Sequence, residues 1–178
     1  MRALGLIGGI SREVFLGASL KAVPYHEQAL SLAYALKDTS YQIRQLLSLA
    51  DNYGQAGRYD RMLEYLETAA LLLQTCDLPS GRLSLGMQFG IFLGETGKQQ
   101  EAINIFKRCM ELARALENKA AVENLFWQLF ELYLSVENTA LAGTMLDSLL
   151  VNHFAEESIL SEARYKLEKL RGNREAAF

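Results

Sequence analysis

Gly17, Gly57 and Gly97 stand 40 residues apart, and the next step lands on Glu137, where the local pattern otherwise continues. A fixed period of this length marks a chain built from one repeated supersecondary unit that cannot bury its apolar face alone. Sliding residues 41–80 onto 81–120 pairs Ala50 with Gly90, Gly54 with Gly94, Arg58 with Lys98, Leu63 with Ile103 and Leu66 with Phe106. Every pair preserves size or character. One further step sets Tyr133 opposite Tyr53 and Leu93, Ala142 opposite Ala102 and Met62, and Leu146 opposite Phe106 and Leu66. Backwards, Tyr25, Glu27, Ala29 and Leu32 fall on Tyr65, Glu67, Ala69 and Leu72.

Within each period the apolar residues recur at helical spacing. Met62, Leu63, Leu66, Ala69, Ala70 and Leu73 form one stripe, and Ile103, Phe106, Cys109, Met110 and Ala113 another. The recurring glycine sits between two such segments, where a short turn must reverse the chain and a left-handed residue ends a helix. Each period is therefore expected to be a helical hairpin. Asp38-Thr39-Ser40, Asp77-Leu78-Pro79-Ser80-Gly81 and Glu117-Asn118-Lys119 carry helix-stop and N-cap chemistry between hairpins. No strand-like alternation competes, so the fold class is all-α. The units run approximately 1–40, 41–80, 81–120 and 121–154 in a single repeat domain, with residues 155–178 as a terminal helix or a partial fifth unit. Arg171-Gly172-Asn173-Arg174 in that tail reads as a further inter-helix turn, which suggests a piece of a longer protein.

These residues resemble the tetratricopeptide repeat family, whose pattern sets a small residue before an aromatic, then Gly, then Ala, an aromatic and another small residue. The second unit offers Leu49-Ala50, Tyr53, Gly57, Leu66 and Ala69, and the third Phe89-Gly90, Leu93, Gly97, Ala102, Phe106 and Cys109. The fourth keeps Leu129, Tyr133, Ala142 and Leu146 but has Phe130 at the small position and Glu137 at the turn. In the first unit Gly9, Ile10 and Glu13 replace the first-helix pattern, and Pro24 is expected to interrupt the second helix. The period exceeds the 34 residues of the commonest form and so matches longer-helix variants. The resemblance implies a right-handed superhelical stack of antiparallel helical hairpins whose first helices line a concave groove.

Composition bounds the chemistry. Eighteen Lys and Arg are outnumbered by 21 Asp and Glu across the 178 residues, a balance without the basic stripe of a nucleic-acid binder. The longest nearly uncharged stretch, Leu83 to Gly94, is too short to cross a bilayer. Cys76 and Cys109 read as free thiols at packed second-helix positions, consistent with a cytoplasmic protein. His26 and His153 lie in different units and cannot share a metal, and His26 takes a packing position. Gly5-Leu6-Ile7-Gly8-Gly9 lacks the preceding strand that a phosphate loop needs. Gly86, Gly90 and Gly94 share one helix face, each costing about 1 kcal/mol relative to Ala. Close helix packing explains Gly90, and Gly54 with Gly94 could leave room for a ligand backbone.

Carried over from the family, the groove positions are Arg44, Leu47, Ser48, Asp51 and Gln55, then Met87, Gln88, Ile91 and Glu95, then Asn124, Trp127, Gln128, Glu131 and Ser135. Met87, Ile91 and Trp127 would serve as apolar anchors in a surface with an acidic component. The implied function is a non-catalytic scaffold that binds a protein or peptide, with no cofactor or metal and with homo-oligomerisation left open. Two other roles fit the same residues: a sensor or oligomerisation segment of a larger bacterial signalling protein, and a regulatory domain that binds a small molecule.

Overall fold

The computed structural model describes residues 3–152 and 157–172, with side chains from Ser19 onward. Among the described residues eight helices follow one another: α1 Ala3–Ala35, α2 Thr39–Gln55, α3 Tyr59–Leu73, α4 Pro79–Glu95, α5 Gln99–Ala115, α6 Lys119–Ser135, α7 Thr139–Val151 and α8 Glu157–Arg171. No strand occurs among the described residues. The chain divides into two compact units, Met1–Phe92 and Leu93–Phe178, and the division falls inside α4.

The 40-residue period resolves into two steps of 20. Lys37, Gly57, Gly97, Glu117 and Glu137 all have positive φ, between 52° and 86°, and each is the middle residue of a three-residue turn. In each turn the following N–H closes back onto the helix just ended: Asp38 to Ala33 O, Arg58 to Tyr53 O, Lys98 to Leu93 O, Asn118 to Ala113 O and Asn138 to Tyr133 O, all at 2.8–3.0 Å. This is the Schellman arrangement, which satisfies the last carbonyls of a helix. These five turns thus use one device, although only two of them carry glycine, whereas the longer α3–α4 connection between Leu73 and Pro79 has no left-handed residue. Asp38, Asn118 and Asn138 then cap the next helix, their side chains accepting from the N–H of Tyr41, Ala121 and Leu141.

In the first unit α1 packs on α2 and α2 on α3. Ile43, Leu46, Leu47 and Ala50 of α2 meet Met62, Leu66, Ala69 and Leu73 of α3, and Leu85, Phe89, Ile91 and Phe92 of α4 close over them. In the second unit α5 packs on α6, α6 on α7 and α7 on α8. Ala102, Ile103, Phe106, Cys109, Met110 and Ala113 are all buried, as the helical spacing requires. Ala142, Leu146 and Leu149 of α7 and Leu160, Ala163 and Leu167 of α8 are buried likewise.

The first 40 residues differ from expectation. Instead of a hairpin turning at Gly17, α1 is one helix that runs through both Gly17 and Pro24. Gly tolerates helical as well as left-handed φ, so its presence permits a turn without enforcing one. Pro24 lacks an N–H and leaves one helical carbonyl without its donor, yet the helix continues beyond it.

Candidate binding surface

Four of the predicted groove residues fall on exposed or half-buried positions of α2. Arg44 lies over the Tyr41 ring, 5.5 Å from its centroid. Asp51 accepts from Gln55 Nε2 at 2.8 Å, and Gln55 Oε1 accepts from Ser19 Oγ of α1 at 2.8 Å. Gln55 is thereby committed to the α1–α2 contact. Partial burial pushes the Asp51 carboxyl above its ordinary value while the Gln55 hydrogen bond opposes it, and solvent at this accessible residue screens both. The Ser48 carbonyl accepts from Asn52 Nδ2.

Leu47, expected in the groove, is 6% exposed and belongs to the core of the first unit. Ile91 packs half-buried against the same core, and Met87 is half-buried. Gln88 Nε2 donates to the Leu47 carbonyl at 2.9 Å, tying α4 to α2. Its Oε1 is buried and has no hydrogen-bond partner among the described residues.

The remaining predicted residues lie in the second unit. Glu95 and Asn124 are exposed and Gln128 is half-buried. Trp127 meets the Phe130 ring edge-to-face at 5.9 Å, so part of the indole is spent on packing. Glu131 pairs with Lys166 of α8 at 3.1 Å, which holds the ammonium above its ordinary pKa. Ser135 Oγ donates to the Leu132 carbonyl at 2.8 Å, closing the end of α6.

What the first unit assembles is a cleft of about 150 Å³ lined by Ser40, Ile43, Arg44, Leu47, Leu78, Ser80, Gly81 and Ser84. Ile43, Leu47 and Gly81 are its buried members, while Arg44 and the three serines are exposed. Arg44 and Leu47 were legible in the sequence. The contribution of the α3–α4 connection and the first turn of α4 was not, because the family pattern places recognition on mid-helix positions. A wider depression of about 290 Å³ lies where α5 turns into α6, lined by Ala113, Arg114, Glu117, Lys119 and Val122. It includes the turn residue Glu117 and none of the predicted positions.

The glycines resolve against a ligand role. A Cβ on Gly54 would stand 2.8 Å from Met62 Sδ, and one on Gly94 would stand 3.3 Å from Leu132 Cδ2. The space that glycine opens is filled by the neighbouring helix, which corrects the expectation of room for a ligand backbone.

The other chemistry-bearing residues make local contacts where they are described. His26 Nδ1 is 2.8 Å from Gln45 Oε1 across the α1–α2 contact, in keeping with a packing position, while His153 lies outside the described residues. Cys109 is buried, and burial pushes its thiol pKa up, away from the nucleophilic thiolate. Cys76 was expected on a helix but sits in the α3–α4 connection, its Sγ 3.7 Å from the Leu72 carbonyl. Among the described residues no three His, Cys, Asp or Glu side chains gather as a metal-binding group, and no helix is long and apolar enough to cross a membrane.

Neither a family model nor a curated protein matches the sequence. The fold does have a solved counterpart. The chain is similar to the crystal structure of BtubC (BKLC) from P. vanneervenii, with a TM-score of 0.74 at 21% identity over 90% of this chain and 69% of that one. At this identity the likeness concerns the arrangement of helices alone.

Proposed function

We propose that the chain is a tetratricopeptide-type repeat that works as a non-catalytic, cytoplasmic scaffold, holding a protein or peptide segment against α2 and α4. The cleft in the first unit carries this reading. Its buried members Ile43, Leu47 and Gly81 offer an apolar floor for one small side chain, and Arg44 with Ser40, Ser80 and Ser84 offers donors around it. A preformed apolar depression with a few polar groups at its edge is the usual form of a peptide side-chain pocket. Rigid helices supply pre-organisation, so that little ordering entropy is lost on binding. The turns at Lys37, Gly57, Gly97, Glu117 and Glu137 support the family reading, since they repeat one local solution, and within each unit α1 packs on α2, α2 on α3, α5 on α6 and α6 on α7.

Capture from source lysate tests the proposal. Arg44→Glu/Ser84→Glu is expected to lose, at least tenfold, a protein that the wild-type chain enriches, with helical content and melting temperature unchanged because both side chains are exposed. Equal enrichment by both forms would place binding elsewhere.

A further inference from the structure

Four positions of the second half of α1 are less covered than their counterparts in every later period. Met62, Ala102 and Ala142 are buried but Ala22 is not; Leu66, Phe106 and Leu146 are buried but His26 is not; Ala69, Cys109 and Leu149 are buried but Ala29 is not. Tyr65, Ile105 and Met145 are half-buried, whereas Tyr25 is 74% exposed. The same face carries Leu32, 57% exposed. In the first unit, α2 covers the corresponding face of α3: Tyr53 stacks on Tyr65 at 5.5 Å, and Gly54 receives Met62. Among the described residues this face of α1 is therefore less covered than the corresponding face of α3.

The sequence of residues 3–16 is suited to cover it. Ala3, Leu6, Ile7 and Ile10 hold the register of Ile43, Leu46, Leu47 and Ala50, all buried in α2. Arg61 lies 5.5 Å from the Tyr53 ring centroid; one period earlier this pair of positions is Lys21 and Glu13, which carry opposite charges. Gly54 and Met62 become Val14 and Ala22, a reciprocal exchange of small and large that conserves the combined volume. A continuous helix over Ala3–Ala35 cannot bring these residues onto its own later half, because a helix advances about 1.5 Å per residue and carries them away from it.

We infer that the face of α1 bearing Tyr25, Ala29 and Leu32 is covered by residues 3–16 of a second copy of the chain, in a reciprocal two-fold exchange. The helix that continues through Gly17 takes the place of a turn, and the contact replaces the hairpin that the period calls for. Exchange of an identical element is a low-cost route to a dimer, since the contacts are those of the closed monomer. Because each copy supplies both a segment and a face, the interface involves roughly 20 residues a side, the scale of a stable association. This inference does not depend on the groove reading.

Light scattering coupled to size exclusion on the full chain should return twice the 19.9 kDa chain mass. Leu32→Glu/Tyr25→Asp should halve that mass without loss of helical content, both side chains being exposed within one copy. Glu13→Cys/Lys21→Cys, oxidised and mapped by mass spectrometry, should give a disulfide between two chains. A single-chain mass for the wild type, or a 13–21 disulfide closed within one chain, would overturn the exchange in favour of a hairpin at Gly17. So would a dimer that survives Leu32→Glu/Tyr25→Asp.

Discussion

Phe130→Ala is expected to cost about 3–5 kcal/mol of stability, the range for removing a buried aromatic side chain. A reading from the repeat alone points the other way, since the matched positions hold Ala50 and Gly90 and alanine would restore the common residue. In the second unit, however, Phe130 is fully buried and takes the edge-to-face contact with Trp127 at 5.9 Å. Ala50 is equally buried in the first unit, so the two positions share a place in the pattern while their surroundings differ in volume. Truncation would remove the transferred apolar area and leave a cavity, whereas the gain in helix propensity from Phe to Ala is only about 0.5 kcal/mol. Against a total stability of about 5–15 kcal/mol, such a loss should bring the urea midpoint down sharply at an unchanged m-value. A loss below about 1 kcal/mol would mean that the site repacks around alanine as it does at Ala50.

The second large effect concerns Met62 and Gly54. Met62 is 1% exposed and fills the space that Gly54 leaves, so Met62→Ala should cost about 3 kcal/mol. Gly54→Ala sets a gain of about 1 kcal/mol in helix propensity against overpacking of about 1–3 kcal/mol, because a Cβ would stand 2.8 Å from the sulfur of Met62, a side chain that is itself 1% exposed. The net expectation is a loss of about 1 kcal/mol. In the double variant the added methyl group meets no sulfur, so the combined loss should fall short of the sum by about 1–2 kcal/mol, within the range for residues in contact. Chemical denaturation of the four forms measures that coupling. Strict additivity would show that Gly54 is small for a reason other than Met62.

The helical period, the α2–α3 and α6–α7 hairpins and most of the core were legible because a 40-residue repeat can be checked against itself. Ile103, Phe106, Cys109, Met110 and Ala113 are buried as their spacing demands, and Asp38 and Asn118 cap helices as their chemistry suggests. What escaped the sequence depends on side chains from other helices. Gly17 is compatible with helix and turn alike, and α1 takes the helix. Gly54 and Gly94 marked places of close approach, but only the facing residues, Met62 and Leu132, decide that protein rather than ligand occupies the space. Lys37, Glu117 and Glu137 adopt left-handed φ without being glycine, so the 20-residue step of the turns is invisible to a search for glycine alone.

The candidate surface was legible in outline and shifted in detail. Arg44 keeps its expected place, while Leu47 and Ile91 serve the core, and Trp127 and Glu131 are engaged by Phe130 and Lys166. Ser80 and Ser84 enter the cleft because α4 starts at Pro79 and brings its first turn beside α2, a juxtaposition that no periodicity encodes.

The binding role is tested most directly by a photo-crosslinking amino acid placed in cells at Ser84, on the cleft, and separately at Glu67, exposed on α3 away from it. Irradiation is expected to give a discrete protein adduct from position 84 and none from position 67, with the adduct lost on Arg44→Glu. An adduct at 67 alone, or none at either position, would contradict a scaffold that binds through α2 and α4.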